Sequence, residues 1–423
     1  MDNLVASILL FVAFLFGLLS LIDLRRHPWK LLPVLVILHL MFFMYPFYDF
    51  ILGEKVLEYH YFSYFGLFPD KGMAIVYLSI VTISLVIMSS VSFLNINLGT
   101  LRFNNGDINP YNFKKFTFII LVVITGIIVL YANRNFTGSL YLFFSPARKE
   151  LFLSGYERKF LFILPCLVIT LYKFSNLYNK KFFLLYVLFG ILIVSILGQR
   201  RDLINFCIFS FLIYNYDFLK DLKFSKKIQL YSGVFFITLI PLLWYARVIF
   251  TQIIRHGEIT INPFTLRGPV ELIFGSSTTG FMSFFLQQKY MDLGVIDKFH
   301  SIYQMLFVPI PRLFLDSKPS TIPQLIKMAE QDTGNISNFF INEFYMNFGL
   351  FFFIGVLVFS IILNWLYFSM KDSNGDFNVI YLFLFCNLIL LFKNGWSDYI
   401  ITVILYVLLF YFFVLINKVS FKI

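Results

Sequence analysis

Two arginines and an aspartate stand together at Arg200-Arg201-Asp202, directly after Gly198-Gln199 and between two short apolar stretches. Charges at membrane depth are costly and turn towards a protein interior or a water-filled cavity. A guanidinium pair there can grip a phosphate through parallel hydrogen bonds; the plainer reading is a polar turn in which Asp202 neutralises one arginine. Arg247 follows Trp244 and Tyr245 near the end of another apolar stretch, where an arginine also serves as a snorkelling anchor. Further cations lie in Arg255-His256-Gly257-Glu258, Arg267-Gly268-Pro269, Pro309-Ile310-Pro311-Arg312 and Lys318-Pro319. Arg148 sits in Ser145-Pro146-Ala147-Arg148, where Pro146 suits the first turn of a short helix. His256 is the side chain best suited to take up and release a proton near neutral pH, with Glu258 behind it, although an ordinary surface histidine reads the same way. Glu343, Met346 and Asn347 share one face of a helix by their spacing. A carboxylate at Glu343 can orient a hydroxyl, act as a base or hold an arginine, the last being the commoner structural fate.

The elements that must position these groups are apolar. Of 423 residues 59% are hydrophobic and only 13% charged, which places the chain among polytopic membrane proteins. A membrane helix needs roughly 17–25 mostly apolar residues. Eleven stretches are candidates, those near 160–218 being short: 4–24, 31–52, 73–95, 117–133, 160–176, 182–197, 203–218, 228–250, 346–370, 378–394 and 399–416. An open backbone in lipid leaves polar groups unpaired, so all of them are expected to be helices. The first is too long for a signal-peptide core and reads as a retained span. With no internal repeat and no low-complexity linker, the expectation is one all-α domain over 1–423. A long polar stretch at about 251–345, carrying short helices, is inserted between the eighth and ninth spans.

Lysine and arginine in short loops set orientation. With the amino terminus outside, the inward loops hold sixteen such residues and the short outward loops ten. The stretch 251–345 then faces outward and the carboxyl terminus inward. The two sides differ in kind: the inward set has 3 Arg and 13 Lys, the full outward set 9 Arg and 9 Lys. Lysine suffices to retain a loop in the cytoplasm, whereas arginine presents a planar fork for phosphate or carboxylate. An arginine-rich outer face suggests recognition of an anion; arginines that merely pair with loop acids would look alike.

Several classes are disfavoured. The net charge of +11 is scattered over loops, with no soluble basic domain to hold nucleic acid. Membrane lipid headgroups or a phosphate-bearing substrate fit it better. Cys166, Cys207 and Cys386 all fall inside apolar stretches and read as small buried hydrophobes. The chain has no HExxH, no Cys-rich metal spacing, no Gly-x-Ser-x-Gly elbow and no Gly-Lys-Ser/Thr phosphate loop. Neither a metal nor a cofactor is expected.

Many spans, a large late outward loop and the Gly198-x-Arg200 element resemble the O-antigen polymerases, the oligosaccharide repeat unit polymerases of bacterial inner membranes. Pro311-Arg312, Lys318-Pro319 and Glu343-Phe344-Tyr345-Met346-Asn347-Phe348-Gly349 are similar to that family's Pro-Arg, Lys-Pro and Glu-Tyr-x-Asn-Phe-Gly segment. The likeness is specific over about 195–355 and topological elsewhere. The paired Arg-x10-Gly spacing of some members is not met, since Arg148 precedes Gly155 and Arg255 precedes Gly268. The resemblance implies a periplasmic reaction in which a sugar hydroxyl of one undecaprenyl-pyrophosphate-linked repeat unit attacks the anomeric carbon of another. His256, Glu343 and Arg255 become the candidate catalytic residues. Arg148, Arg200, Arg201, Arg247, Arg267 and Arg312 become the candidate contacts to pyrophosphate or glycan. A chain-length regulator protein is the implied partner. An O-antigen ligase shares this topology, and a flippase for lipid-linked glycans is the rival of a different class; a flippase needs cations buried along a path across the bilayer, whereas here the spans carry few charges.

Overall fold

The computed structural model describes residues 2–40, 71–96, 115–132, 156–175, 177–196, 200–216, 278–307, 319–320, 322–330, 339–372, 376–388, 391–392 and 395–418. Among these no strand occurs. In chain order the helices are α1 (Asp2–Arg26), α2 (Leu31–Leu40), α3 (Lys71–Phe93), α4 (Lys115–Ala132), α5 (Tyr156–Lys173), α6 (Lys180–Ile196) and α7 (Arg200–Tyr214). They continue with α8 (Thr278–Asp292), α9 (His300–Phe307), α10 (Ile322–Glu330), α11 (Phe340–Phe348), α12 (Phe352–Asp372), α13 (Asp376–Cys386) and α14 (Trp396–Lys418). Among the described residues four helical runs are long and apolar enough to cross a membrane: Asn3–Arg26, Gly72–Phe93, Phe340–Lys371 and Trp396–Ile416. The described residues are thus all-helical or in connecting turns, as in a membrane-embedded helical protein.

The helices group into two compact units. The first is drawn from Met1–Arg102, Thr265–Ser373 and Leu390–Ile401, the second from Phe103–Phe264, Asn374–Ile389 and Thr402–Ile423.

In the first unit α1 packs along α3, and α3 along α12. The inward stripe of α1 is Ala6, Ala13, Gly17 and Ser20, almost all small. Lipid gives helices no hydrophobic incentive to associate, so close approach through small residues takes its place. A Cβ on Gly17 would run into the Leu40 side chain of α2. The Ser20 hydroxyl donates to Ser89 Oγ at 3.0 Å, and Ser89 in turn donates to the Phe16 carbonyl. The remaining circumference of α1, including Leu4, Ile8, Phe11 and Leu15, is exposed.

The apolar stretch expected at 346–370 begins earlier than its composition suggests. Helix α11 opens at Phe340, turns through a short 3-10 segment (Gly349–Phe351) and leads into α12. Asn342, Glu343 and Asn347 lower the average hydropathy here, yet all three are buried. The break falls at Gly349, whose φ of 56° and ψ of −129° suit only a residue without a Cβ.

In the second unit α5 is central. Every residue from Leu161 to Tyr172 is buried, and α4, α6 and α7 pack around it. Gly190 of α6 lets the Phe206 ring of α7 lie against the backbone. Helix α13 packs on α7, and the Phe383 ring stacks on Tyr406 with centroids 3.8 Å apart.

Candidate functional site

Helix α11 is nine residues long and buried on all sides. Phe340, Ile341, Phe344 and Met346 fill its apolar positions, while Asn342, Glu343 and Asn347 carry polar groups into the same interior. A helix so placed needs polar partners for each of these side chains, since an unpaired buried group costs about 1–3 kcal/mol.

Glu343 finds its partners at the start of α14, 53 residues later. Its Oε2 accepts the backbone N–H of Trp396 at 2.5 Å and of Ser397 at 3.3 Å, and its Oε1 accepts the Ser397 hydroxyl at 2.6 Å. The first amides of a helix have no intrahelical acceptor and carry the positive end of its dipole, which a carboxylate complements. Gly395, at φ 91°, turns the chain into that first turn. The Phe344 and Trp396 rings stack at 5.6 Å and 9°, a second tie between α11 and α14. The partners seen for Glu343 are therefore a helix start and a hydroxyl.

The other polar side chains of α11 reach the short helices of the late polar stretch. Asn347 Nδ2 donates to Ser301 Oγ of α9 at 2.5 Å and to the Glu343 carbonyl at 2.7 Å. The Asn342 amide lies near the Tyr77 hydroxyl of α3. Tyr77 in turn packs its ring on Phe281 and Phe284 of α8. His39 of α2 is fully buried. Its Nδ1 bonds the Leu35 carbonyl at 2.6 Å, and its ring stands edge-on to Phe340 and Phe392 at 4.8 and 4.7 Å. Glu343, Asn342, Asn347, Tyr77 and His39 thus surround one end of the first unit, where α3, α12 and α14 begin.

The opposite end of this unit, some 22 Å away by the rise of α3 from Tyr77 to Ser92, holds a buried ion pair. Lys30 Nζ donates to both oxygens of Asp23 at 3.2 Å, to the Ser92 carbonyl at 2.8 Å and to Asn95 Oδ1 at 2.6 Å. The Ser92 hydroxyl donates to Asp23 Oδ2. Asn364 of α12 closes the cluster by donating to the carbonyls of Ile96 and Val91. Burial pushes the Lys30 ammonium below its ordinary pKa, and the Asp23 carboxylate opposes that shift. Beside it, burial and then the Lys30 charge lower the pKa of His27, whose Nδ1 lies 3.4 Å from the Tyr367 hydroxyl. In the sequence Lys30 is one of the sixteen cations of the inward loops. Its signal was Asp23, an acid inside the apolar stretch 4–24, since an ionisable group there demands a partner.

In the second unit Arg200 and Arg201 open α7, and Asp202 lies buried in its first turn, where a helix N-terminus favours an acid. Asp202 approaches the buried thiol of Cys166, which also lies near Cys386, and Asn205 Nδ2 donates to Asn387 Oδ1 at 3.4 Å. The Tyr406 hydroxyl meets Thr170 Oγ1 at 3.2 Å. Of the candidate residues, only Glu343 has a described side chain; Arg200 and Arg201 are described in backbone alone. Arg148, Arg247, Arg255, His256, Arg267 and Arg312 lie outside the described residues, as do Glu258 and Lys318.

The site therefore belongs to a helical membrane protein with a buried polar hub at one end. No family model, curated protein or solved structure matches the chain.

Proposed function

We propose that this chain is a glycosyltransferase of the bacterial inner membrane that joins undecaprenyl-pyrophosphate-linked oligosaccharide repeat units into O-antigen or a related surface polysaccharide. One observation carries the reading. The segment that resembles the O-antigen polymerases, Asn342 to Gly349, coincides with the buried polar helix α11, on which α8, α9 and α3 converge. A motif that is both polar and central in packing fits a scaffold for the large polar stretch before it.

On this reading eleven spans cross the membrane and the stretch 251–345 faces the periplasm. The charge bias supports that orientation, and so does the direction of the helices within the first unit. Spans starting at α3 and α12 run the same way from the Glu343 end, as an outward 251–345 requires. Arg25, Arg26 and Lys371 fall at the far, Lys30 end.

The reaction needs no nucleotide. A sugar hydroxyl of the incoming unit forms the new glycosidic bond to the anomeric carbon of the growing glycan. The bond from that carbon to the pyrophosphate oxygen breaks, and undecaprenyl pyrophosphate leaves with the electron pair. His256 takes the hydroxyl proton as base, beside Arg255. Negative charge grows on the leaving pyrophosphate, and fixed guanidinium groups stabilise it. Arg148, Arg200, Arg201, Arg247, Arg267 and Arg312 are assigned to pyrophosphate or glycan anions. Glu343 is assigned a positioning role, holding α11 to α14 beneath the reacting groups. Substrate, membrane lipids and a chain-length regulator are the partners of this reading.

The test is a glycan ladder from cells lacking the gene, complemented with wild type, Arg200→Ala, Arg255→Ala or His256→Ala. A polymerase gives a single repeat on the acceptor in the deletion strain and a full ladder with wild type, while the variants express normally yet stay at one repeat. Polymer accumulating on undecaprenyl pyrophosphate, with bare acceptor, identifies a ligase instead. Repeats trapped on the cytoplasmic side identify a flippase and overturn the site assignment.

A further inference from the structure

Helix α9 is built inside out. It buries Ser301 and Gln304 and exposes Tyr303, Leu306 and Phe307, which are 56, 61 and 36% accessible. The polar stripe is engaged by α11, through the bond from Asn347 to Ser301 Oγ. The next helix in the chain, α10, buries Ile322 and Ile326 one turn apart and exposes Met328. A surface helix in water turns its apolar stripe to the core; one that turns it outward is facing something other than water.

The apolar surface runs on beyond α9. Phe299, just before the helix, is exposed and held at φ 65°, a conformation that bulky residues rarely adopt. Its ring meets Phe348 of α11 at 6.1 Å. Two residues past Phe348 come Leu350 and Phe351, 80 and 65% accessible. The exposed face of α12 follows with Phe353, Ile354, Leu357 and Val358. That helix lies in a run long and apolar enough to span a bilayer, so its outward face meets acyl chains. Phe299, one turn before Tyr303, ties the face of α9 to that surface through its contact with Phe348. At the start of α9, Lys298 is exposed, and His300 Nε2 bonds the Ser320 carbonyl at 2.7 Å, which marks a polar border.

We propose that α9 is a membrane-embedded helix, with its Tyr303, Leu306 and Phe307 face covered by lipid acyl chains rather than by water or protein. This goes beyond the reaction proposed above and holds whether or not the chain polymerises glycans. It places part of the polar stretch 251–345 within the bilayer, with Lys298 at headgroup level, in the manner of an interfacial helix.

The test uses the full chain with Cys166, Cys207 and Cys386 replaced by alanine, reconstituted in nanodiscs of phosphatidylcholine and phosphatidylglycerol. A nitroxide is attached at Tyr303→Cys or Leu306→Cys, with Val358→Cys as the lipid reference and Asp297→Cys as the water reference. Collision rates are measured with molecular oxygen, which concentrates in lipid, and with a water-soluble nickel chelate. The expected result is an oxygen-to-nickel ratio at both positions close to that of Val358→Cys and severalfold above that of Asp297→Cys. A ratio matching Asp297→Cys overturns the proposal in favour of water. Shielding from both collision partners, with loss of label mobility, overturns it in favour of a second copy or a protein partner. Elution volume identifies a labelled chain that fails to fold; if one position fails, the other decides.

Discussion

Replacing Lys30 by methionine removes one charge from a buried cluster and leaves the rest in place. Asp23 then keeps the Ser92 hydroxyl but loses the ammonium held 3.2 Å from each of its oxygens. Ser92 O and Asn95 Oδ1 lose a donor, and the contacts of the ammonium with the Tyr367 and Phe368 rings go too. Breaking a buried pair from one side costs about 3–5 kcal/mol, because the surviving charge is uncompensated. Asp23→Leu strands the lysine and falls in the same range. The double variant Asp23→Leu/Lys30→Met strands no charge; it leaves orphaned acceptors worth about 1–3 kcal/mol. The cycle therefore closes with the double variant about 0.5–3 kcal/mol better than the sum of the singles. Reversible unfolding in mixed micelles, by titration with a denaturing detergent, measures all four corners. Single variants that each cost less than about 1 kcal/mol, or a double variant equal to their sum, would refute the view that the pair is dry and coupled.

Other outcomes follow from the same geometry. The lowered pKa of His27 means that the unfolded chain binds more protons between that value and 6.5, so acidification through this window destabilises the fold; His27→Gln flattens the stability profile there, measured by unfolding at a series of pH values. Glu343→Gln keeps an acceptor for the Trp396 and Ser397 amides and stays close to wild type, whereas Glu343→Ala orphans three donors and costs about 3 kcal/mol or more, read as a fall in midpoint in thermal size-exclusion assays. Equal losses for the two would remove the helix-start role assigned to the carboxylate. Gly349→Ala costs about 1–3 kcal/mol from backbone strain alone, since a Cβ there meets no atom within 4 Å; the same assay reads it.

What could be read from the chain follows the range of each interaction. Long apolar stretches announce themselves locally, and α1, α3, α12 and α14 stand close to where composition puts them. The Glu343–Asn347 face was also legible, because helical spacing needs only five residues to show itself. What Glu343 bonds was not legible. Its partners are backbone amides, which carry no sequence signature, and they come 53 residues later. The ion pair at Lys30 was hidden for a different reason: a lysine between two spans is what topology demands anyway, so nothing set it apart from its neighbours in the count. Helix α9 was hidden by averaging, since a mixed segment such as His300–Phe307 reads as an ordinary polar loop until the side that faces outward is known. The arginines and His256 rest on residue type and spacing, with Arg200 and Arg201 alone among those cations gaining a helical setting.

The bond from Glu343 to the start of α14 also constrains how the protein is made. A ribosome adds about 5–20 residues per second, so Glu343 is synthesised roughly 3–10 s before Trp396 and Ser397 exist. During that interval the carboxylate has to be sheltered by the insertion machinery, by water or by another part of the nascent chain. Lys30 faces a similar wait for Ser92 and Asn95, 62 and 65 residues on. Both ends of the first unit are therefore completed late, and chains stalled before residue 396 would leave α11 carrying a carboxylate without its helix-start partners, a ready mark for quality-control proteases.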